Sequence, residues 1–193
     1  MKIYSIHYDA RLKASLDVDC EEKLYFEFAN QFFRKEAESY LSKWQPPNCY
    51  HLNQNPKIAT FTGCFSFLSY AFYDTLLEDK EMMHIFQSYG EVLPISCSDS
   101  DRIVYQYHCM NCLGKSADLV VHQEKETWMA LSDPNKMSFR QSEIPDRGLF
   151  WLRPGTTALY TVENEELGME HNFKMLYDAR GYTGLAFTEI KLI

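Results

Sequence analysis

The sequence predicts an α+β fold built on a mixed or antiparallel sheet. Stretches rich in β-branched and aromatic residues alternate along the chain with stretches that repeat apolar residues at helical spacing. The length of 193 residues suits one domain, and the hydrophobic share of 46% is enough for an ordinary core. We therefore predict a single α+β domain over 1–193, with three main helices and a C-terminal strand–helix–strand unit.

The N-terminal region, 1–50, is predicted to hold one strand and one long amphipathic helix. The strand covers 2–9, where the composition favours β-structure. The helix covers 19–44, because Asp19 opens a capping-box sequence, apolar and aromatic residues then recur at helical spacing, and two prolines follow. Its broad aromatic face predicts packing against the core.

The region 57–193 is predicted to supply the rest of the sheet. Strands are expected over 57–63, 91–97, 102–111, 117–133 (as a hairpin or two short strands), 148–155, 157–163 and 185–193, and helices over 66–90, with a break near Glu78–Asp79, and over 164–181. Pro94 predicts an edge strand or a strand end. Asn164 is the expected cap and Gly181 the expected C′ residue of the last helix. The order strand–helix–strand occurs twice, which predicts two units that feed one sheet.

Charge and cysteine usage narrow the classes of partner and location. The formal charge of −8 disfavours binding to a nucleic-acid backbone; it can attract a basic partner, or it can serve solubility alone. No apolar run reaches the ~18 residues of a membrane span, and the first residues do not resemble an export signal. We expect a cytoplasmic protein whose six cysteines are reduced thiols.

The stretch YQYHCMNCLGKSAD, residues 105–118, combines fragments of three chemical motifs. Cys109 and Cys112, with His108, form an alternative metal set, but a structural zinc site commonly needs a second short-spaced ligand pair. Cys49, with His51, Cys64 and Cys97, would have to contribute ligands through space. We therefore predict no metal site and keep the set His108, Cys109 and Cys112 as the alternative.

The other two motifs in this stretch are incomplete. A thioredoxin-like dithiol requires a helix after the first cysteine, and LGKSADLVV does not read as an amphipathic helix. A phosphate-binding loop requires glycine at position 109, where the chain has cysteine. We predict instead a Tyr-rich strand that places Tyr107 and Cys109 on one packed face and reaches a turn at Gly114. No catalytic or cofactor-binding residue is predicted anywhere in the chain.

Three stretches resemble the α+β immunity-protein family of bacterial polymorphic toxin systems, first catalogued as a domain of unknown function. The first is SFLSYAFYDTLLE with FQSYGEVLPISC, where Glu91, Leu93 and Pro94 fit a Glu-hydrophobic-hydrophobic-Pro strand. The second is the Tyr-rich strand RIVYQYHCMNCLGKSAD. The third is the C-terminal strand–strand–helix–strand order, closed by a Thr-Gly-hydrophobic-x-Phe pattern at 183–187. The resemblance covers about residues 57–193, and all its motifs are strand and turn patterns.

The resemblance implies a cytoplasmic, non-enzymatic protein that binds and neutralises a cognate protein toxin. A charge of −8 suits a basic toxin, and tyrosine or tryptophan side chains near an acidic surface are natural anchors. Two alternatives stay open. One is a metal-binding or thiol-based protein that uses Cys109 and Cys112; the other is an accessory protein with an unrelated protein partner.

Overall fold

The fold was obtained as a computed structural model, which describes residues 1–12, 15–18, 39–42, 44–52, 59–63, 69–98, 103–115, 120–122, 137–153 and 158–193. Within these ranges the chain forms 13 strands: β1 Lys2–Tyr8, β2 Leu16–Val18, β3 Asn48–His51, β4 Phe61–Gly63, β5 Ser69–Tyr73, β6 Gly90–Cys97, β7 Val104–Cys109, β8 Cys112–Lys115, β9 Val120–His122, β10 Met137–Phe139, β11 Gly148–Arg153, β12 Leu159–Glu163 and β13 Leu185–Leu192. The α-helices of these ranges are α1, Lys80–Tyr89, and α2, Phe173–Ala179, and short 3₁₀ turns lie at Ala10–Leu12, Asp74–Glu78, Gln141–Glu143 and Met169–His171.

The strands form two sheets. The first has the order β8-β11-β12-β1-β13-β10-β9, with β1 antiparallel to both β12 and β13. The second has the order β2-β3-β6-β7-β5-β4, with β7 antiparallel to β6 and β5, and β3 parallel to β6. The α+β class is therefore confirmed, whereas the described residues contain two α-helices rather than the three expected.

A single apolar cluster draws side chains from both sheets and both helices. The faces that meet in it are dominated by aromatic rings, and Phe86 of α1 stacks on Tyr107 of β7 with ring centroids 4.2 Å apart. Its other large members include Ile6, Phe61, Phe72, Leu149, Leu159, Phe173, Leu176 and Tyr177. The opposite face of the first sheet carries a second cluster, built around Ile3, Phe139, Phe150, Tyr160 and Ile190.

The start of β13 brings the two sheets into contact at Gly184. This residue has φ +109°, and a Cβ atom there would lie 1.8 Å from the Phe61 carbonyl oxygen. The Phe61 N–H donates to the Thr183 carbonyl at 2.8 Å, and the Asp9 N–H donates to the Gly184 carbonyl at 2.7 Å. Only glycine combines this backbone conformation with so close an approach.

The last helix is shorter than predicted. Helix α2 begins after Asn172, not Asn164, because Asn164 accepts from Glu166 N–H in a turn of its own and donates its N–H to the Asn172 Oδ1 atom at 2.7 Å. The predicted C′ residue is correct. Gly181 has φ +66°, and its N–H and that of Tyr182 satisfy carbonyls of the last helical turn, as in a Schellman motif.

The first half of the helix predicted over 66–90 is a strand. Residues 69–73 form β5, and the helix begins only at Lys80, after the break expected near Asp79. Both faces of β5 are buried, with Tyr70 and Phe72 on one side and Ala71 on the other, so its apolar residues show no alternation. The helix predicted over 19–44 falls mostly outside the described residues; 39–42 and Trp44 are not helical.

Pro94 lies in β6, which is an inner strand of the second sheet rather than an edge strand. Its carbonyl accepts the Trp44 indole N–H at 2.7 Å, so the backbone of Pro94 faces away from β7. On that side β6 pairs with β3 only at Ser96 and Cys97. Because no described strand pairs with β6 on this side at Pro94, the missing N–H costs no ladder hydrogen bond. An inner strand can therefore hold this proline.

The two strand–helix–strand units feed different sheets, which corrects the expectation of one sheet. The C-terminal unit is β12, α2 and β13, and β1 is inserted between its two strands. The earlier unit contains the extra strand β5 before α1 and belongs to the second sheet. No helix in the described ranges has the length and apolar character needed to cross a membrane.

Candidate functional site

The residues of the alternative metal set are divided between the two faces of β7. Cys109 lies in the main core, and its thiol donates to the Tyr89 carbonyl at 3.5 Å. His108 points to the opposite face, because successive side chains of a strand alternate, and its register partner is Glu91. Cys112 begins β8. Across the described part of the chain, no three His, Cys, Asp or Glu side chains are grouped so that they could hold a metal ion.

The Cys109 thiol is protonated at neutral pH. Burial raises its pKa to about 12, and the thiolate is the form that attacks disulfides and peroxides. The segment after it is β8, which pairs parallel to β11 through Cys112 and Trp151, so the turn predicted at Gly114 is a strand. The predicted packed face of Tyr107 and Cys109 is confirmed.

Behind β7 lies a buried polar group formed by Glu91, His108 and Tyr40. The Tyr40 N–H donates to the Glu91 carboxylate at 2.8 Å, and the Tyr40 ring meets the His108 ring edge to face, with centroids 4.8 Å apart. Burial lowers the pKa of His108 to about 4, against the opposing effect of the Glu91 charge. His108 is therefore neutral at physiological pH.

Further along the same face, the fold assembles Cys49, His51 and Cys97. Cys49 of β3 is the register partner of Cys97 of β6. His51 lies with Nδ1 3.9 Å from the Cys97 sulfur and Nε2 3.1 Å from the Tyr73 hydroxyl. The sequence raised this set only as ligands acting through space; Cys64, its fourth member, lies outside the described residues.

A pocket of about 300 Å³ opens at the end of β5, beside Tyr73. It is lined by small, hydroxyl-bearing and aromatic side chains from three separate segments: Ala59, Thr60, Tyr73, Thr75, Leu76, Tyr182 and Thr183. Thr60 and Thr183 fix its floor, because each accepts the other's backbone N–H on its hydroxyl at 3.2 Å.

The Tyr182 wall of the pocket is held by Asp79. The Tyr182 hydroxyl donates to Asp79 Oδ2 at 2.6 Å, while Asp79 Oδ1 caps α1 by accepting from the Glu81 and Met82 N–H groups. Burial alone would raise the Asp79 pKa, but the bonds from Tyr182, Met82 and Arg180 outweigh it and lower the pKa. Asp79 is thus ionised at neutral pH, and burial together with this bond raises the pKa of Tyr182.

The 3₁₀ turn that contributes to the pocket lining also carries acidic and apolar residues. The 3₁₀ turn Asp74–Glu78 supplies Thr75 and Leu76 to the lining and also bears the carboxylates of Asp74 and Glu78. Leu77 on the same turn is 37% exposed, and Ile103, whose carbonyl accepts the Asp74 N–H at 3.1 Å, is 55% exposed.

Comparison with known proteins gives no match: no protein-family model fits the chain, and no curated protein matches it. The pocket was not predicted from the sequence, because its lining comes from residues that are far apart along the chain. One lining residue, Thr183, was named in the sequence only as part of a turn pattern; it lies next to Gly184, where the two sheets meet.

Proposed function

We propose that this protein is a non-enzymatic, cytoplasmic immunity protein that binds and neutralises a cognate basic protein toxin, and that the toxin docks at the pocket beside Tyr73. The single observation that carries the proposal is a pocket that contains Tyr73 and Tyr182 and is lined in part by the turn Asp74–Glu78, which bears two carboxylates. The resemblance of residues 57–193 to the immunity-protein family supports the same function.

The chemistry of the pocket suits recognition rather than catalysis. Its described lining consists of threonine, tyrosine, leucine and alanine, and the Tyr182 phenol, whose pKa is raised, is a weak nucleophile at neutral pH. The hydroxyl of Tyr182 is already engaged with Asp79, and that of Tyr73 lies 3.1 Å from His51 Nε2. Both rings are therefore fixed before a partner arrives, which reduces the entropy lost on binding.

A lysine or arginine side chain is the group that fits the pocket. Its aliphatic stem would lie against Leu76 and the tyrosine rings, and its cationic head would reach the carboxylates of Asp74 and Glu78. The exposed Leu77 and Ile103 would surround that anchor with apolar contact. A chain charge of −8 would accelerate the approach of a basic toxin and disfavour acidic partners.

Growth protection tests this proposal. The protein encoded next to this chain is expressed from an inducible promoter, with and without this chain, and growth is followed after induction. We expect the neighbour to arrest growth and this chain to restore it. Thr75→Arg places a cation in the pocket without disturbing the core, because Thr75 is exposed, and we expect it to abolish protection.

Ser142→Arg is the matched control. Ser142 is also exposed and also lies on a short 3₁₀ turn, Gln141–Glu143, which contributes nothing to the pocket lining. It adds the same charge to the chain, so protection should be retained. A neighbour that does not arrest growth, or arrest that this chain fails to relieve, contradicts the proposed function. Equal protection by both variants contradicts the pocket as the docking site.

A further inference from the structure

Cys49 and Cys97 are neighbours across the parallel strands β3 and β6. They are register partners, and backbone bonds hold the register on both sides of Cys97: Ser96 N–H donates to the Pro47 carbonyl at 3.1 Å, and Ser98 N–H to the Cys49 carbonyl at 2.9 Å. Register partners in a sheet point their side chains to the same face. The two thiols are therefore held side by side, although 47 residues separate them in the sequence (97 − 49 − 1).

The two thiols differ in access to solvent. Cys49 is 0% exposed and packs with Leu16, Ile95 and Val104, whereas Cys97 is partly exposed at the end of β6. A small oxidant can therefore reach Cys97 first. Cys49 is placed to react second, with whatever forms on its neighbour.

His51 adds a base to the pair. It follows Cys49 by two positions on β3, so it lies on the same face, with Nδ1 3.9 Å from the Cys97 sulfur. Its Nε2 lies 3.1 Å from the Tyr73 hydroxyl, which fixes the orientation of the ring. Thiol, imidazole and phenol thus form a connected row, the arrangement in which a base activates a nucleophile and a third group orients the base.

We propose that Cys97 is a peroxide-reactive thiol and that Cys49 resolves its oxidised form into a disulfide linking β3 to β6. His51 accepts the Cys97 proton, and the sulfur attacks one oxygen of a hydroperoxide. The O–O bond breaks, an S–O bond forms, and with hydrogen peroxide the proton leaves with the second oxygen as water. Cys49 sulfur then attacks the sulfenic sulfur, an S–S bond replaces the S–O bond, and a second water leaves.

The backbone can accommodate this disulfide. Neighbouring strands lie roughly 4.8 Å apart, within the range of about 4.4–6.8 Å that Cα atoms span in disulfides. Cys109 of the Cys-x-x-Cys pair differs from Cys97 in reactivity. The Cys109 thiol is buried, and its pKa is raised to about 12. Peroxide should therefore oxidise Cys97 at doses that leave the Cys109 thiol reduced.

Peroxide titration with peptide mapping tests the proposal. The reduced, native chain is exposed to increasing hydrogen peroxide, its remaining thiols are alkylated, and the digest is analysed by mass spectrometry. We expect a cross-linked Cys49–Cys97 peptide that dithiothreitol abolishes, formed at doses that leave Cys109 reduced. In Cys49→Ser the sulfenic acid at Cys97 should persist and react with a cyclic dione probe; in Cys97→Ser, Cys49 should stay reduced.

Two results would overturn the proposal. One is a Cys97 thiol that stays reduced at peroxide doses that oxidise a free cysteine-containing peptide. The other is oxidation of Cys49 that proceeds unchanged in Cys97→Ser. Before oxidation, each reduced variant is shown to unfold at the same midpoint as the native chain. Both results are therefore obtained on folded protein.

The part assigned to His51 is tested by rate. His51→Gln should slow Cys97 oxidation roughly tenfold, because it removes the neighbouring base that accepts the thiol proton. His84→Gln, at an exposed histidine of α1, should leave the rate unchanged. Equal rates for both variants contradict the role of His51.

Discussion

The two faces of β7 differ in what they contribute. The front face carries Tyr107 and Cys109 into the aromatic core beneath α1, where burial raises the pKa of each. The back face carries Gln106 and His108, lies beside Glu91, and continues toward the row of Cys97, His51 and Tyr73. Of the Cys-x-x-Cys motif that stands out in the sequence, Cys109 thus lies in the buried front core, whereas the partly exposed Cys97 and His51 lie on the back face.

This difference separates stability from function within one sheet. Aromatic side chains that stack in a closed core contribute stability and offer a partner nothing to touch. Tyr73 leaves the back face at the end of β5, where it joins the pocket, and it reaches His51 as well. We therefore expect front-face substitutions to change unfolding and pocket substitutions to change binding.

The largest effect is expected from Phe86→Ala in the front core. Phe86 is 1% exposed and stacks on Tyr107, so its loss removes buried area and leaves a cavity. We expect the free energy of unfolding to fall by about 3–5 kcal/mol, measured by urea titration. Leu52→Ala, at an exposed apolar residue, should change it by less than about 0.5 kcal/mol. Similar losses for both would contradict the division between the core and the surface.

A smaller effect, visible only as pH falls, is expected from His108 on the back face. Its pKa is about 4 when folded, against an ordinary value of 6.5, so the unfolded chain binds the proton first and stability falls as pH drops from 6.5 toward 4. Between pH 7 and pH 4 the native chain should lose about 2–3 kcal/mol more than His108→Gln. His7→Gln, at a half-buried histidine, should reduce this acid-dependent loss of stability by less than His108→Gln does.

Equal pH dependence in the native chain and His108→Gln would show that folding leaves the pKa of His108 unchanged. That result would contradict burial of a neutral imidazole on the back face.

The smallest stability effect is expected from Asp79→Ala. The native Asp79 side chain links α1 to the Tyr182 wall of the pocket. The substitution removes the cap of two N–H groups and the bond to Tyr182, and should cost about 1–2 kcal/mol in urea unfolding. Glu78→Ala, at the exposed residue before it, should cost less than about 0.5 kcal/mol. Because Tyr182 loses its anchor, Asp79→Ala should also weaken partner binding; unchanged binding would remove Tyr182 from the proposed contact.

Local patterns in the sequence predicted most of the strands, but they did not predict the strand at 69–73 or the division of the strands into two sheets. Alternation and β-rich composition marked β1, β7 and β13, and Gly181 marked the end of α2. The prediction of a helix over 69–73 was wrong, because a strand buried on both faces lacks the alternation of apolar and polar residues that identifies strands. The number of sheets was also beyond reach, since the choice between one sheet and two depends on long-range pairing.

The candidate sites were unpredictable for the same reason. Cys49 and Cys97 become neighbours only through the parallel pairing of β3 with β6, and the pocket walls come from 59–60, 73–76 and 182–183. Each of these segments is chemically ordinary by itself. Cys109 and Cys112 were considered as ligands or redox thiols because of their Cys-x-x-Cys spacing, and that spacing does not indicate how deeply a thiol is buried.

The affinity of the neighbouring gene product for this chain tests the central claim most directly. Titration calorimetry with this purified gene product should give tight binding to the native chain and to Ser142→Arg. For Thr75→Arg we expect Kd to rise by at least about 30-fold, as for the loss of a central anchor worth about 2 kcal/mol. An unchanged Kd for Thr75→Arg, with the fold intact, would show that the toxin binds elsewhere on the molecule.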